Sequence, residues 1–142
     1  MKVDFYQLSR DPAESVVPLL AERTLKAGER LLVVTGDPAQ AERISAALWA
    51  HKPASFLAHG VAGAGQEERQ PILVSDQVDP ANGARYAIFA DGIWRDPPGD
   101  CARVFLLFGA ETIDAARAQW RALAGSERNF WKQGERGWDK VA

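Results

Sequence analysis

The 142-residue chain is 46% hydrophobic and 25% charged, with a formal net charge of −2, values of an ordinary folded protein. The mildly acidic balance excludes a general pull toward nucleic acid, and a single cysteine, Cys101, excludes an internal disulfide and agrees with a reducing compartment. No apolar run reaches the length of a membrane span, so one compact cytosolic domain over residues 1–142 is expected, of a size at which folding buries roughly two-thirds of the unfolded chain's surface.

Residues 3–8, VDFYQL, mix aromatic and β-branched groups and are expected as a strand. Asp11-Pro12-Ala13-Glu14 follows, with an acid to cap, proline at the first helical position and a second acid to reach back; it opens a helix that runs to Gly28. Pro18 lies inside that run and should bend the helix or delay its start. RLLVVT, 30–35, is the continuous apolar run of a strand buried on both faces. Asp37-Pro38-Ala39-Gln40 repeats the capping chemistry, and Ala41, Ile44 and Leu48 take helical spacing before Trp49. Strands are expected again at 71–75, 85–90 and 103–108, and a last helix from Thr112. Residues 60–69, GVAGAGQEER, and 91–100, DGIWRDPPGD, are expected as mobile loops. Alternation of this kind favours a doubly wound, mostly parallel α/β sheet with helices on both faces.

Such folds often hold a nucleotide at the turn after a strand, but VVTGDPAQ has one glycine, no Lys-Ser/Thr pair and an acid at the cap. Gly60, Gly63 and Gly65 follow no strand directly. His51 and His59 are too few for zinc, and Cys101 precedes a strand expected to be buried. These residues leave a metal or cofactor site without a pattern to support it. The last thirty residues say more. They carry +2 against −4 for residues 1–111. On the helix from Thr112, Arg117, Trp120, Arg121, Ala124 and Arg128 fall at i, i+3, i+4 spacing and share a face, while Ile113, Ala116 and Leu123 supply the side for packing. Two guanidinium groups beside an aromatic suit a carboxylate with an apolar side chain, as on an acidic peptide tail. The alternative, solvated arginines with Trp120 packed under the helix, stays open.

Several stretches together resemble the chi subunits of bacterial DNA polymerase III. They are FYQL (5–8), GERLLVV (28–34), ALWAHKPASFLAHG (47–60), QPILVS (70–75) and ARAQWRAL (116–123), so the resemblance runs nearly end to end. Two departures are Ser45, where the family has Asp ahead of Leu-Trp, and Ala58, where it has proline before the histidine. The resemblance implies a Rossmann-like open sheet and a non-catalytic accessory subunit without cofactors. Such a subunit links single-stranded-DNA-binding protein to the clamp loader through a small partner, psi, and meets nucleic acid only indirectly. It further implies that the acidic C-terminal tail of the binding protein is held by Arg117, Trp120 and Arg121, with Leu106 as an apolar wall. Psi would be met at Phe56, with Trp49 close by, leaving His51 and His59 as rim or structural groups. A nucleotide-binding or hydrolytic enzyme at the Gly36-Asp37 turn, and a direct single-stranded-DNA binder, are the competing readings.

Overall fold

The computed structural model describes residues 1–51 and 57–142. In chain order the strands are β1 (Lys2–Gln7), β2 (Leu31–Val34), β3 (His59–Val61), β4 (Ile72–Ser75), β5 (Tyr86–Phe89), β6 (Arg103–Phe108), β7 (Glu127–Gly134) and β8 (Gly137–Lys140). The helices are α1 (Ala13–Lys26), α2 (Pro38–Ala50) and α3 (Ile113–Ala122). Among the described residues the strands form one sheet in the order β3-β4-β2-β5-β6-β1-β7-β8, parallel throughout except for the antiparallel β7–β8 hairpin.

Strict alternation along the central strands builds two cores. Leu31, Val33, Ile72, Val74, Ile88, Phe105 and Leu107 point to the side covered by α1 and α2, where Val17, Leu20, Ile44 and Leu48 meet them. The intervening Leu32, Val34, Leu73, Phe89, Leu106 and Phe108 point the other way, to the side covered by α3 through Ala116. The apolar runs read from the sequence are therefore strands buried on both faces, as a doubly wound parallel sheet requires, and helices do lie on both faces.

The two expected caps diverge. At α2, Pro38 takes the first position and the Asp37 carboxylate accepts the Ala39 N–H at 3.0 Å. Gln40 does not reach back to the cap; its Nε2 donates to the Ala90 carbonyl at 2.9 Å and ties α2 to the end of β5. At α1 the cap residue is Pro12 and no side chain caps. Asp11 lies one position too early, its carboxylate accepting from Gln133 Nε2 at 2.8 Å, and Glu14 accepts instead from Arg43 Nε at 2.9 Å. Tertiary partners have taken both acids. Nor does Pro18 delay the helix, which starts at Ala13 and keeps the proline inside.

Three further expectations are corrected. The segment 60–69 is not wholly loop, because His59–Val61 pairs with β4 as the sheet's outer strand and Glu67–Arg69 forms a 3-10 turn. The Glu67 carboxylate organises that turn by accepting the N–H groups of Gly63 and Gly65 at 3.2 and 2.8 Å. The 91–100 stretch is anchored at its start by a two-bond Asp91–Arg95 pair, at 2.7 and 2.8 Å, and by Trp94 set edge-on to Phe89. Finally, the last helix stops at Ala122. The turn at Leu123–Ser126, closed by the Ser126 N–H on the Leu123 carbonyl, ends it, and β7 begins at Glu127. Arg128 is thus a strand residue.

Candidate functional site

The face derived from helical spacing is assembled, by two elements rather than one. Helix α3 presents Arg117, Trp120 and Arg121 over the outer part of the sheet. Beside it, β7 runs parallel to β1 with Phe5 opposite Phe130 and Gln7 opposite Lys132. Phe130 and Lys132, two apart on a strand, project to the same face as α3, and with Val141 they complete a groove around Trp120. Helical spacing carries the face only to Arg128 and so misses Phe130 and Lys132, and RNFWK, with Phe130 and Trp131 adjacent, shows no apolar-polar alternation that would mark a strand.

Trp120 belongs to both alternatives raised by the sequence. It packs edge-on to Phe5 at 5.3 Å and to Phe130 at 5.6 Å, half-buried on the core, and still lines the groove. Arg128, though on β7, covers the indole: its guanidinium carbon lies 3.9 Å from the ring centroid, and the group donates to the Trp120 carbonyl. The aromatic is therefore rigid. Arg117, Arg121 and Lys132 are exposed, and among the described residues none of the three makes an ion pair. No Asp or Glu side chain lines the groove. Such a surface can accept carboxylates on the three cations and an apolar side chain against Trp120 and Phe130. Leu106, expected as the wall, is 1% exposed on β6 and lies in the core on which Trp120 rests, so Phe130 and Val141 supply the apolar lining.

The second cluster surrounds Trp49. It sits in the last turn of α2, 61% exposed, with its ring centroid 4.7 Å from that of His59 at the sheet's edge. His59 Nδ1 lies 3.1 Å from the Leu57 carbonyl and Nε2 2.7 Å from the Ser45 hydroxyl. A carbonyl can only accept, so Nδ1 carries a proton, and in the neutral ring Nε2 accepts from the serine hydroxyl. Ser45 thereby fixes the ring that lies against Trp49 at an interplanar angle of 49°. His51 Nε2 meets Glu22 Oε2 at 2.9 Å. Both histidines have structural partners, and among the described residues no group of three His, Cys, Asp or Glu side chains could hold a metal. Phe56 lies outside the described residues. Burial pushes the Cys101 thiol upward, away from the reactive thiolate.

At the Gly36 turn the anion site of an α/β fold is filled by the protein's own acid. The Gly36 N–H donates to Asp91 Oδ2 at 2.9 Å, and Glu14, Asp91 and Glu111 line the adjoining crevice at the strand ends. A phosphate there would meet like charge. Burial pushes the Asp91 carboxyl up, but its bonds from Arg95, Gly36 and Ile93 outweigh this and hold it below the usual value of 3.8. A carboxyl whose folded value lies below its unfolded one stabilises the fold fully above the unfolded value and loses that contribution as pH falls through the folded one. Urea unfolding of wild type and Asp91→Asn is thus expected to differ most near neutral pH and to draw together as the pH falls from about 4 through the folded value. A gap that persists in acid would show that the geometry, and not the charge, matters.

Among the described residues, no helix is long and apolar enough to cross a membrane. A family model described as "DNA polymerase III chi subunit, HolC" matches residues 1–130. The DNA polymerase III subunit chi of Escherichia coli (strain K12) is 32% identical over 78 residues, which cover 50% of this chain and 53% of that protein. The chain thus spans about half the length of this curated relative. Lys132, Val141 and β8 lie beyond the part that the family model matches. With the parallel sheet, the two-sided core and the match over residues 1–130 in agreement, the chain belongs to the DNA polymerase III chi subunit family.

Proposed function

We propose that this chain is a non-catalytic accessory subunit of a bacterial DNA polymerase III assembly, an adapter in the cytoplasm that joins single-stranded-DNA-binding protein to the clamp loader. The acidic C-terminal tail of the binding protein docks in the groove of Arg117, Trp120, Arg121, Phe130 and Lys132, with Leu106 in the buried core behind it. The observation that carries this reading is three exposed cations without ion-pair partners among the described residues, set around a rigid, half-buried indole. Charge-assisted bonds to carboxylates and burial of an apolar terminal side chain are what such a site offers. Fluorescence anisotropy of a labelled acidic tail peptide, titrated with the full chain, tests it. Saturable binding in the micromolar range, lost when the peptide's apolar terminal residue is removed, is expected. A single-stranded oligonucleotide serves as the counter-ligand: three phosphate contacts would give a log–log salt slope of about −2, and tighter binding to it than to the peptide would favour direct DNA contact instead.

The clamp-loader side is met through psi, at a surface containing Phe56 and Trp49. Support comes from Trp49, a 61%-exposed indole tilted against an anchored histidine, and interface cores favour such aromatics. Phe56→Ala is expected to lose co-purification with psi while tail binding stays at the wild-type level. Retained co-purification would remove Phe56 from that interface.

A further inference from the structure

In the loop between β1 and α1, the backbone N–H groups of Ser9, Arg10 and Asp11 converge on one atom, Oε1 of Gln133, at 3.1, 2.9 and 3.2 Å. Successive N–H groups aimed into one concavity form a nest suited to an anion. Here a neutral amide oxygen from β7 fills it. The other end of the same amide donates to the Asp11 carboxylate at 2.8 Å, so both halves of the side chain are engaged. The Ser9 hydroxyl donates to the Gln133 carbonyl and Arg10 to the Glu135 carbonyl, each at 2.9 Å, which extends the seam to the turn of the hairpin.

Where this seam lies matters for the groove. Pairing of β7 with β1 ends at Gln7 opposite Lys132, and Gln133 is the next residue. Beyond that register β7 has only β8 as a strand neighbour, and β8 is itself the outer strand of the sheet. The plugged nest ties the end of β7 to the β1–α1 loop, beside the pairing of Lys132 and Gln133 with Asp139 and Trp138 of β8.

We infer that Gln133 is a positioning residue for the tail-binding groove, holding the end of β7 so that Lys132 stands beside Arg117 and Arg121. This rests on the groove reading proposed above. The test uses the full chain, the same labelled tail peptide, and amide hydrogen exchange over residues 127–140. Gln133→Ala is expected to weaken the peptide about fivefold, the scale of one or two lost hydrogen bonds, and to speed exchange in the hairpin while the melting temperature holds. Gln133→Glu keeps the acceptor but sets a carboxylate against Asp11, and should weaken binding as well. Combining Gln133→Glu with Asp11→Asn exchanges donor and acceptor and restores the wild-type net charge; affinity should return to within about twofold of wild type. A loss of affinity in Gln133→Ala that is matched by a fall in melting temperature would be a general loss of stability and would overturn the positioning role. Gln133→Ala binding as tightly as a competent wild type overturns the positioning role alone, whereas failure of the wild type to bind the peptide removes the groove reading and this role together.

Discussion

Replacing Arg117 by alanine is expected to weaken binding of the acidic tail peptide by more than about tenfold, as loss of a charge-assisted, two-bond contact to a carboxylate does, and to leave the melting temperature unchanged. The separation of these effects comes from the structure. Arg117 is exposed and has no ion-pair partner among the described residues, so its removal uncovers no buried group. Arg121→Ala should behave alike, one helical turn on. Trp120→Ala should weaken the peptide at least as much, but it also removes the ring that packs on Phe5 and Phe130 and carries Arg128. For a half-buried indole that costs about 2 kcal/mol of stability. Anisotropy titration beside thermal unfolding of the three variants reads both quantities. Wild-type affinity in Arg117→Ala would return the arginines to a solvated helix face.

The second large effect concerns the fold that carries the groove. Asp4 on β1 is fully buried; its carboxylate accepts from Arg103 on β6 at 2.7 Å and from Asn129 and Trp131 on β7 at 3.1 and 3.2 Å. One acid thus satisfies donors from both strands that flank it. Asp4→Ala leaves Arg103 without its counter-charge and strands two further donors. The side chain of Arg103 is 30% exposed and can recover some solvation, so the expected loss is about 3 kcal/mol, the low end for breaking a buried pair by removing one partner. Urea unfolding of the purified variant measures it. A loss under about 1 kcal/mol would mean that water replaces the carboxylate. Because β7 carries Phe130 and Lys132, the same variant should also loosen the groove.

The places where sequence and structure part share a physical cause. Strands β2, β4, β5 and β6 were legible because each is covered on both faces, and burial on both sides forces a continuous apolar run. Strand β3, three residues of His-Gly-Val, has no pattern of its own; it exists because β4 offers an edge. Strand β7 was hidden by a coincidence of spacing. Arg128 lies eleven residues after Arg117, which continues a helical face, yet the turn at Leu123–Ser126 intervenes and the arginine reaches Trp120 from the neighbouring strand. The cap at Asp37 was readable since its partner is two residues away, while Asp11 and Glu14, with the same local pattern, bond to Gln133 and Arg43 far along the chain.

What the sequence determined by itself was therefore whatever depends on neighbours in the chain or on burial alone: the apolar strands, the Asp37 cap, the Arg117–Trp120–Arg121 face and the family's motifs. Tertiary structure alone decided which groups meet across long separations. It paired β7 with β1 and so brought Phe130 and Lys132 to the groove, sank Leu106 into the core, put Asp91 at the Gly36 turn, and closed the Ser9–Asp11 nest with Gln133. Polar side chains such as Asp4, Asp91 and Gln133 carry no periodic signature, because each can bond any donor or acceptor that the fold delivers, and delivery is settled only when the sheet has formed.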